Sequence, residues 1–257
     1  FGHYLMSRRH GLKATLPYFI PVPAPFSPFG TMGAVINMRE IPKNIRQLFD
    51  IGIAGPLSGL VVAIPVLFIG LLRSPLSTLP TASTTGDPLM IQLEGNSILY
   101  LLSKLLVFGK LLPQPASLGD TTPLLYWVKY FFTGMPIPYG GLDVTLDPVA
   151  WAGWGALLIT GLNLIPVGQF DGGHILYALI GRKWMKRLFP IMLGITAFLG
   201  FFWNGWWLWT ALLYFLGRRN AEPLDMITEI DGKRKVLGVI ALIIFILIFI
   251  PIPLKAI

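Results

Sequence analysis

Apolar runs alternate with short basic segments along most of the chain, and their lengths set its organisation. Ile51 to Leu72 is about 22 apolar residues, long enough to cross a bilayer as a helix. Val149 to Ile165 is the next complete span; at ~1.5 Å per residue it covers about 25 Å. Leu188–Trp203 and Gly205–Leu216 predict a helical hairpin turned at Asn204-Gly205, and Val236–Ile250 predicts a last span. The hairpin's Trp203, Trp206, Trp207 and Trp209 suit a membrane–water interface. Ile98–Leu112 is apolar but interrupted by Lys104 and Lys110; its length predicts an interfacial or re-entrant helix, and Leu124–Phe132 reads similarly. Phe1–Met6 is an apolar stub leading into Ser7-Arg8-Arg9-His10, a membrane exit. It reads as the tail of a transmembrane helix whose body lies upstream, so the chain is expected to be an N-terminally truncated piece.

Other stretches forbid helix. Pro17, Pro21, Pro23, Pro25 and Pro28 each lack an N–H. Gly30–Arg39 then predicts a short extended segment whose exposed edge could bind another extended chain. Arg73–Pro148 is a long connection, turn-rich over Ser74–Pro88. No internal repeat is found.

Composition fixes the class. Apolar residues make up 54% and charged residues 12%, against about 25% charged in soluble domains; mean hydropathy is +0.68. The expected fold is an all-α polytopic membrane protein with a short extended or β segment near residues 30–39. There are no cysteines, so a metal must be held by His, Asp or Glu. The net charge of +8 reads as cytoplasmic flanks of membrane helices, and no motif supports nucleic-acid binding. With the stub emerging inside, fifteen of the twenty Lys and Arg residues fall on inner segments, which fixes the orientation.

The chemistry concentrates in Leu162–His174. Pro166 breaks the inward span, Gly172-Gly173 permits a sharp turn, and Asp171 follows. An ionisable residue near membrane depth needs a partner. His3, just before the first inner exit, reaches the same leaflet and is the expected one. His174, three residues after Asp171, is expected to support the site rather than to be a ligand. His10 reads as solvated and Asp50 as an exposed helix-start residue. The Gly55–Gly59 pair has GxxxG spacing, a feature of close helix packing.

Asn163-x-x-Pro166-x-x-x-x-Asp171-Gly172-Gly173-His174, with Phe49–Gly59 upstream, resembles the site-2 protease family of intramembrane zinc metalloproteases, in its chloroplast and cyanobacterial branch. The resemblance implies a three-helix core within residues 1–181, its first helix truncated, with an extracytoplasmic or luminal connection at 73–148 and further transmembrane helices at 182–257. It implies one zinc ion held by His3, as the second histidine of HExxH, and by Asp171. The first histidine and the general-base glutamate fall immediately before Phe1, so no catalytic residue is assigned within the chain. Asn163 and Pro166 are expected to shape the substrate cleft, Gly30 and Gly33 the substrate-clamping strand, and Gly172 and His174 the surroundings of the metal. The implied activity is hydrolysis of transmembrane protein substrates within the lipid bilayer, with the fragment alone inactive; oligomeric state is left open. The competing readings are a catalytically inactive pseudoprotease that binds membrane proteins, and an ion-coupled transporter, which broken helices also suit.

Overall fold

The structure is a computed structural model that describes residues 1–21, 30–38, 40–79, 92–134, 140–217, 223–225 and 228–256. Parts of the proline-rich and turn-rich stretches, and Arg39, lie outside the described residues. In chain order the elements are α1 (Gly2–Arg9), β1 (Tyr18–Pro21), β2 (Thr31–Val35), α2 (Ile45–Arg73), β3 (Leu76–Thr78), β4 (Gln92–Glu94), α3 (Ile98–Phe108) and α4 (Pro123–Thr133). They continue with β5 (Leu142–Val144), α5 (Pro148–Asn163), α6 (Asp171–Leu199), α7 (Gly205–Leu216), α8 (Gly232–Ile248) and β6 (Leu254–Ala256).

The fold is mostly helical, as the apolar runs predict, and the extended segment near 30–39 is β2. The strands are more numerous than expected. They form three two-stranded antiparallel ladders, β1 with β2, β3 with β5, and β4 with β6. Of the described helices, α2 alone is long and apolar enough to cross a membrane; α5 and α8 have 16 and 17 residues.

Helix α2 is the axis. Asn44 caps it by accepting from the Gln47 N–H at 3.0 Å, and the Gln47 side chain accepts from the Lys43 N–H at 2.9 Å, a near relative of the capping box. Helix α5 lies antiparallel against it because glycine replaces side chains along the seam. A Cβ on Gly153 would stand 2.6 Å from Leu67 Cα, one on Gly70 would overlap the Ala150 backbone, and one on Gly59 would stand 3.3 Å from Thr160 Oγ1. The ends are tied too. Asp147 caps α5 by accepting from the Val149 N–H at 2.8 Å and lies 3.5 Å from Arg73 at the end of α2.

Expectations about two helices change. Leu188–Trp203, expected as a separate hairpin arm, forms up to Leu199 the second half of α6, which runs from Asp171 to Leu199 with one break at Gly181 (φ 75°). The apolar run at Ile98 ends at Phe108, where Gly109 in the left-handed region caps α3. Lys104 does not interrupt that helix's apolar character by facing water; its side chain is fully buried.

Candidate metal centre

Helix α5 stops at Asn163. Pro166 offers no N–H to continue the ladder, and the chain folds through a tight turn in which Val167 N–H donates to Ile165 O at 2.8 Å. Gly168 takes the left-handed conformation there (φ 62°). The turn closes onto the start of α6: a Cβ on Gly172 would overlap Leu164 O, and one on Gly173 would stand 2.5 Å from Gly168 O. Asp171 is thereby held as the first residue of α6, at the positive end of a helix dipole.

Helix α1 brings the partner. It packs on α2 through glycines of both helices: a Cβ on Gly2 would overlap Ala54 O, and a Cβ on Gly55 would overlap the His3 ring. His3 Nε2 lies 3.2 Å from Asp171 Oδ2, and His3 Nδ1 lies 2.8 Å from Ile51 O. A carbonyl only accepts, so Nδ1 carries a proton and donates. In the neutral ring Nε2 is then a lone-pair donor facing a carboxylate oxygen. Two such atoms 3.2 Å apart require a cation or a proton between them.

The pair fits zinc. Bonds of ~2.0–2.1 Å at a tetrahedral ion set two ligand atoms about 3.3–3.4 Å apart. A ligating imidazole characteristically donates its other N–H to a carbonyl or carboxylate, as Nδ1 does to Ile51 O. Among the described residues no third His, Asp or Glu joins the two. His174 stands beside the pair without completing it, its Cβ 3.0 Å from where a Cβ on Gly52 would lie. The glycines at 52, 55 and 59 of α2 thus face His174, His3 and Thr160 respectively. The GxxxG pair serves two different neighbours, one at the site and one in α5.

The other candidates fall around this centre. Asn163, exposed, and Pro166 sit at the turn that Gly172 touches. Pro166 and Ile165 also line an apolar cavity of about 340 Å³ whose wall includes Met192, Trp206 and Phe245. Gly30 (φ 68°) and Gly33 (φ 103°) lie on the β1–β2 hairpin with open space around them.

Sequence reasoning missed a clasp beside the site. His10 Nε2 lies 2.9 Å from Asp50 Oδ2, and Arg234 binds Asp50 through both Nε and Nη2 at 2.7 Å. Arg234 also pairs with Asp231, the cap of α8, and its hydrogen bonds to Asp50 above all, and then to Asp231, raise the already high basicity of its guanidinium. His10 is therefore paired rather than solvated, and Asp50 is 15% exposed rather than open at a helix start. The clasp joins the end of α1 to α2 and α8.

The chain matches the model of peptidase family M50 over residues 1–202. It is 29% identical over 253 residues to "Probable zinc metalloprotease EGY2, chloroplastic" of Oryza sativa subsp. indica, covering 98% of this chain and 40% of that protein. It is 28% identical to the Arabidopsis thaliana proteins of the names EGY2 and EGY1, over 98% of this chain and 39% and 40% of theirs. The chain thus spans about two-fifths of the length of these curated relatives. No solved structure matches. A zinc-compatible imidazole–carboxylate pair, set by glycine-lined helix contacts and a proline-broken turn, accords with that match: the chain belongs to peptidase family M50, the site-2 protease family.

Proposed function

We propose that this chain holds the zinc site of an intramembrane endopeptidase that cleaves transmembrane segments of other proteins. The observation that carries the proposal is the 3.2 Å approach of His3 Nε2 to Asp171 Oδ2, with Nδ1 oriented by Ile51 O. His3 and Asp171 are the two ligands this chain supplies. The third ligand and the general-base glutamate come, in this reading, from residues that precede Phe1 in the complete protein, as the HExxH pattern requires. A bound zinc ion supplies Lewis acidity, polarising the scissile carbonyl and acidifying a water.

The remaining work falls to the chain's own groups. Ile51 O fixes the His3 tautomer, and Gly55 leaves the ring its place. The Asn163–Pro166 turn shapes the cleft, and the apolar cavity behind Pro166 suits an apolar stretch of substrate. A helical substrate must be unwound before its carbonyls can be attacked. The second edge of β2, opposite β1, offers main-chain groups to hold it extended.

The membrane setting is supported by α2 and by large apolar side chains left exposed on three further helices: Ile191, Ile195 and Phe198 on α6, Leu208 and Phe215 on α7, and Ile243 and Ile246 on α8. We read these as lipid-facing and the protein as multi-pass, with the site near the cytoplasmic or stromal-like face, a reading that the distribution of basic residues supports. The test is cleavage of a transmembrane substrate by the full-length protein in vesicles, with zinc content measured on the same preparation. A full-length protein that binds such substrates and never cleaves them is a pseudoprotease, and the hydrolase reading then fails.

A further inference from the structure

The end of the bundle opposite the metal centre carries a second ionisable cluster. Lys104 of α3 is fully buried, with Nζ 3.8 Å from Glu94 Oε1 of β4 and 3.8 Å from Asp143 Oδ1 of β5. Both carboxylates are themselves buried. At 3.8 Å the ammonium makes no hydrogen bond to either; it stands over the Tyr100 ring, 4.5 Å from its centroid. Tyr100 donates its O–H to Glu94 Oε1 at 2.9 Å. On α4, Tyr130 accepts from Asn96 Nδ2 at 2.8 Å, and the buried Tyr126 hydroxyl makes no hydrogen bond among the described residues. Lys255 of β6 registers opposite Leu93, one residue along from Glu94.

The charges in this cluster do not balance. One ammonium faces two carboxylates, so full ionisation leaves a net negative charge where water is excluded, a costly arrangement. One proton makes the cluster neutral, with Lys104 and Asp143 as the ion pair and Glu94 as a carboxylic acid. The backbone connections give the cluster reach. Strand β4 pairs with β6, which follows α8; β5 pairs with β3, which follows α2, and runs on to Asp147, the cap of α5.

We propose that Glu94, Asp143 and Lys104 form a proton-binding site that fastens the far ends of α2, α5 and α8 to one another, and that it holds tighter with one proton bound. Burial pushes the Glu94 carboxyl up to about 7, Lys104 opposing the push and Asp143 adding to it. The usual value is 4.5. A raised folded-state value means that the folded cluster binds the proton more tightly than the open one. Its stabilisation is complete below the usual value and is lost as pH rises through about 7. The site is thus a sensor for the compartment bathing this end of the bundle, and it stands whether or not the metal centre hydrolyses peptides.

Hydrogen exchange of the full-length protein in lipid nanodiscs, followed by mass spectrometry, tests this. After correction for the intrinsic pH dependence of exchange, protection of 92–94, 142–144 and 254–256 should fall between about pH 6 and about pH 8.5, while α2 amides stay level. Glu94→Gln, a mimic of the protonated acid, should exchange at least about tenfold more slowly than wild type at about pH 8.5, with no step near 7. A flat wild-type profile overturns the proposal, as does a Glu94→Gln profile that keeps the wild-type step. Infrared difference spectra of the wild type alone decide the matter if that variant does not fold. A protonated-carboxyl band titrating near 7 is the expected result, and no such band over the same range overturns the site.

Discussion

The His3 imidazole occupies the space that a side chain on Gly55 would fill. This relationship makes Gly55 a positioning residue for the metal centre, because even a methyl group there must displace the ring from Ile51 O and Asp171. Gly55→Ala in the full-length protein is expected to weaken zinc binding by about 10–100-fold, the range seen when a ligand's orienting contacts are lost. Gly59→Ala is the matched control. Its Cβ would meet only Thr160 Oγ1, at 3.3 Å, so zinc affinity should stay within a few-fold of wild type. Competition titration with a chelating dye reads both, and unchanged affinity in Gly55→Ala would contradict the assignment.

The α2–α5 seam predicts a stability contrast. Gly153→Ala drives a methyl into the Leu67 backbone, which cannot yield as a side-chain tip can, and should cost about 1–3 kcal/mol. Gly194→Ala, in α6 with nothing within 4 Å of its Cβ, should be neutral or stabilise by up to ~1 kcal/mol through helix propensity. Thermal unfolding midpoints in detergent should move in those two directions.

The Asp50–Arg234 pair predicts coupling between α2 and α8. Its bidentate hydrogen bonds are partly buried, and charged hydrogen bonds of this kind contribute about 1.5–3 kcal/mol. Asp50→Asn and Arg234→Met should each lower the unfolding midpoint, and the double variant should lose less than the sum of the two. Additive losses would show that the pair does not act as a unit.

The hairpin predicts a separation of substrate handling from metal binding. Gly33 holds φ 103° within β2, a conformation that a β-branched residue resists. Gly33→Val should therefore distort the strand edge, raising KM for a transmembrane substrate while leaving zinc content at the wild-type level. Equal losses of zinc and of cleavage would remove the hairpin from substrate binding.

What the sequence disclosed, and what it did not, follows from the range of the signals. Asp147-Pro148 opens α5 by a local contact, one residue from the span start read at Val149; Asn44 and Gln47 start α2 in a polar stretch six residues before the apolar run read from Ile51, where hydropathy carries no signal. The meeting of His3 with Asp171 is long-range, yet chain direction and charge bias lead to the expectation that the two lie at the same end of the helices. The His10–Asp50–Arg234 clasp has no comparable signal. Its members come from the cap of α1, from α2 and from α8, and Asp50 and Arg234 are 184 residues apart. Lys104 was equally opaque: a lysine in an apolar run resembles a surface break until β4 and β5 deliver Glu94 and Asp143 to it. The additional strands escaped because each ladder pairs segments of three to five residues, too short to impose a period-2 pattern.

The central claim is that His3 and Asp171 hold one divalent cation between them, and zinc content tests it most directly. Full-length protein purified without chelator should carry about one zinc per chain by elemental mass spectrometry, consistent with a single catalytic site. Asp171→Asn removes the anionic ligand and should lose most of that zinc along with cleavage of a transmembrane substrate, while remaining folded by circular dichroism. A folded Asp171→Asn protein that retains wild-type zinc would contradict the account.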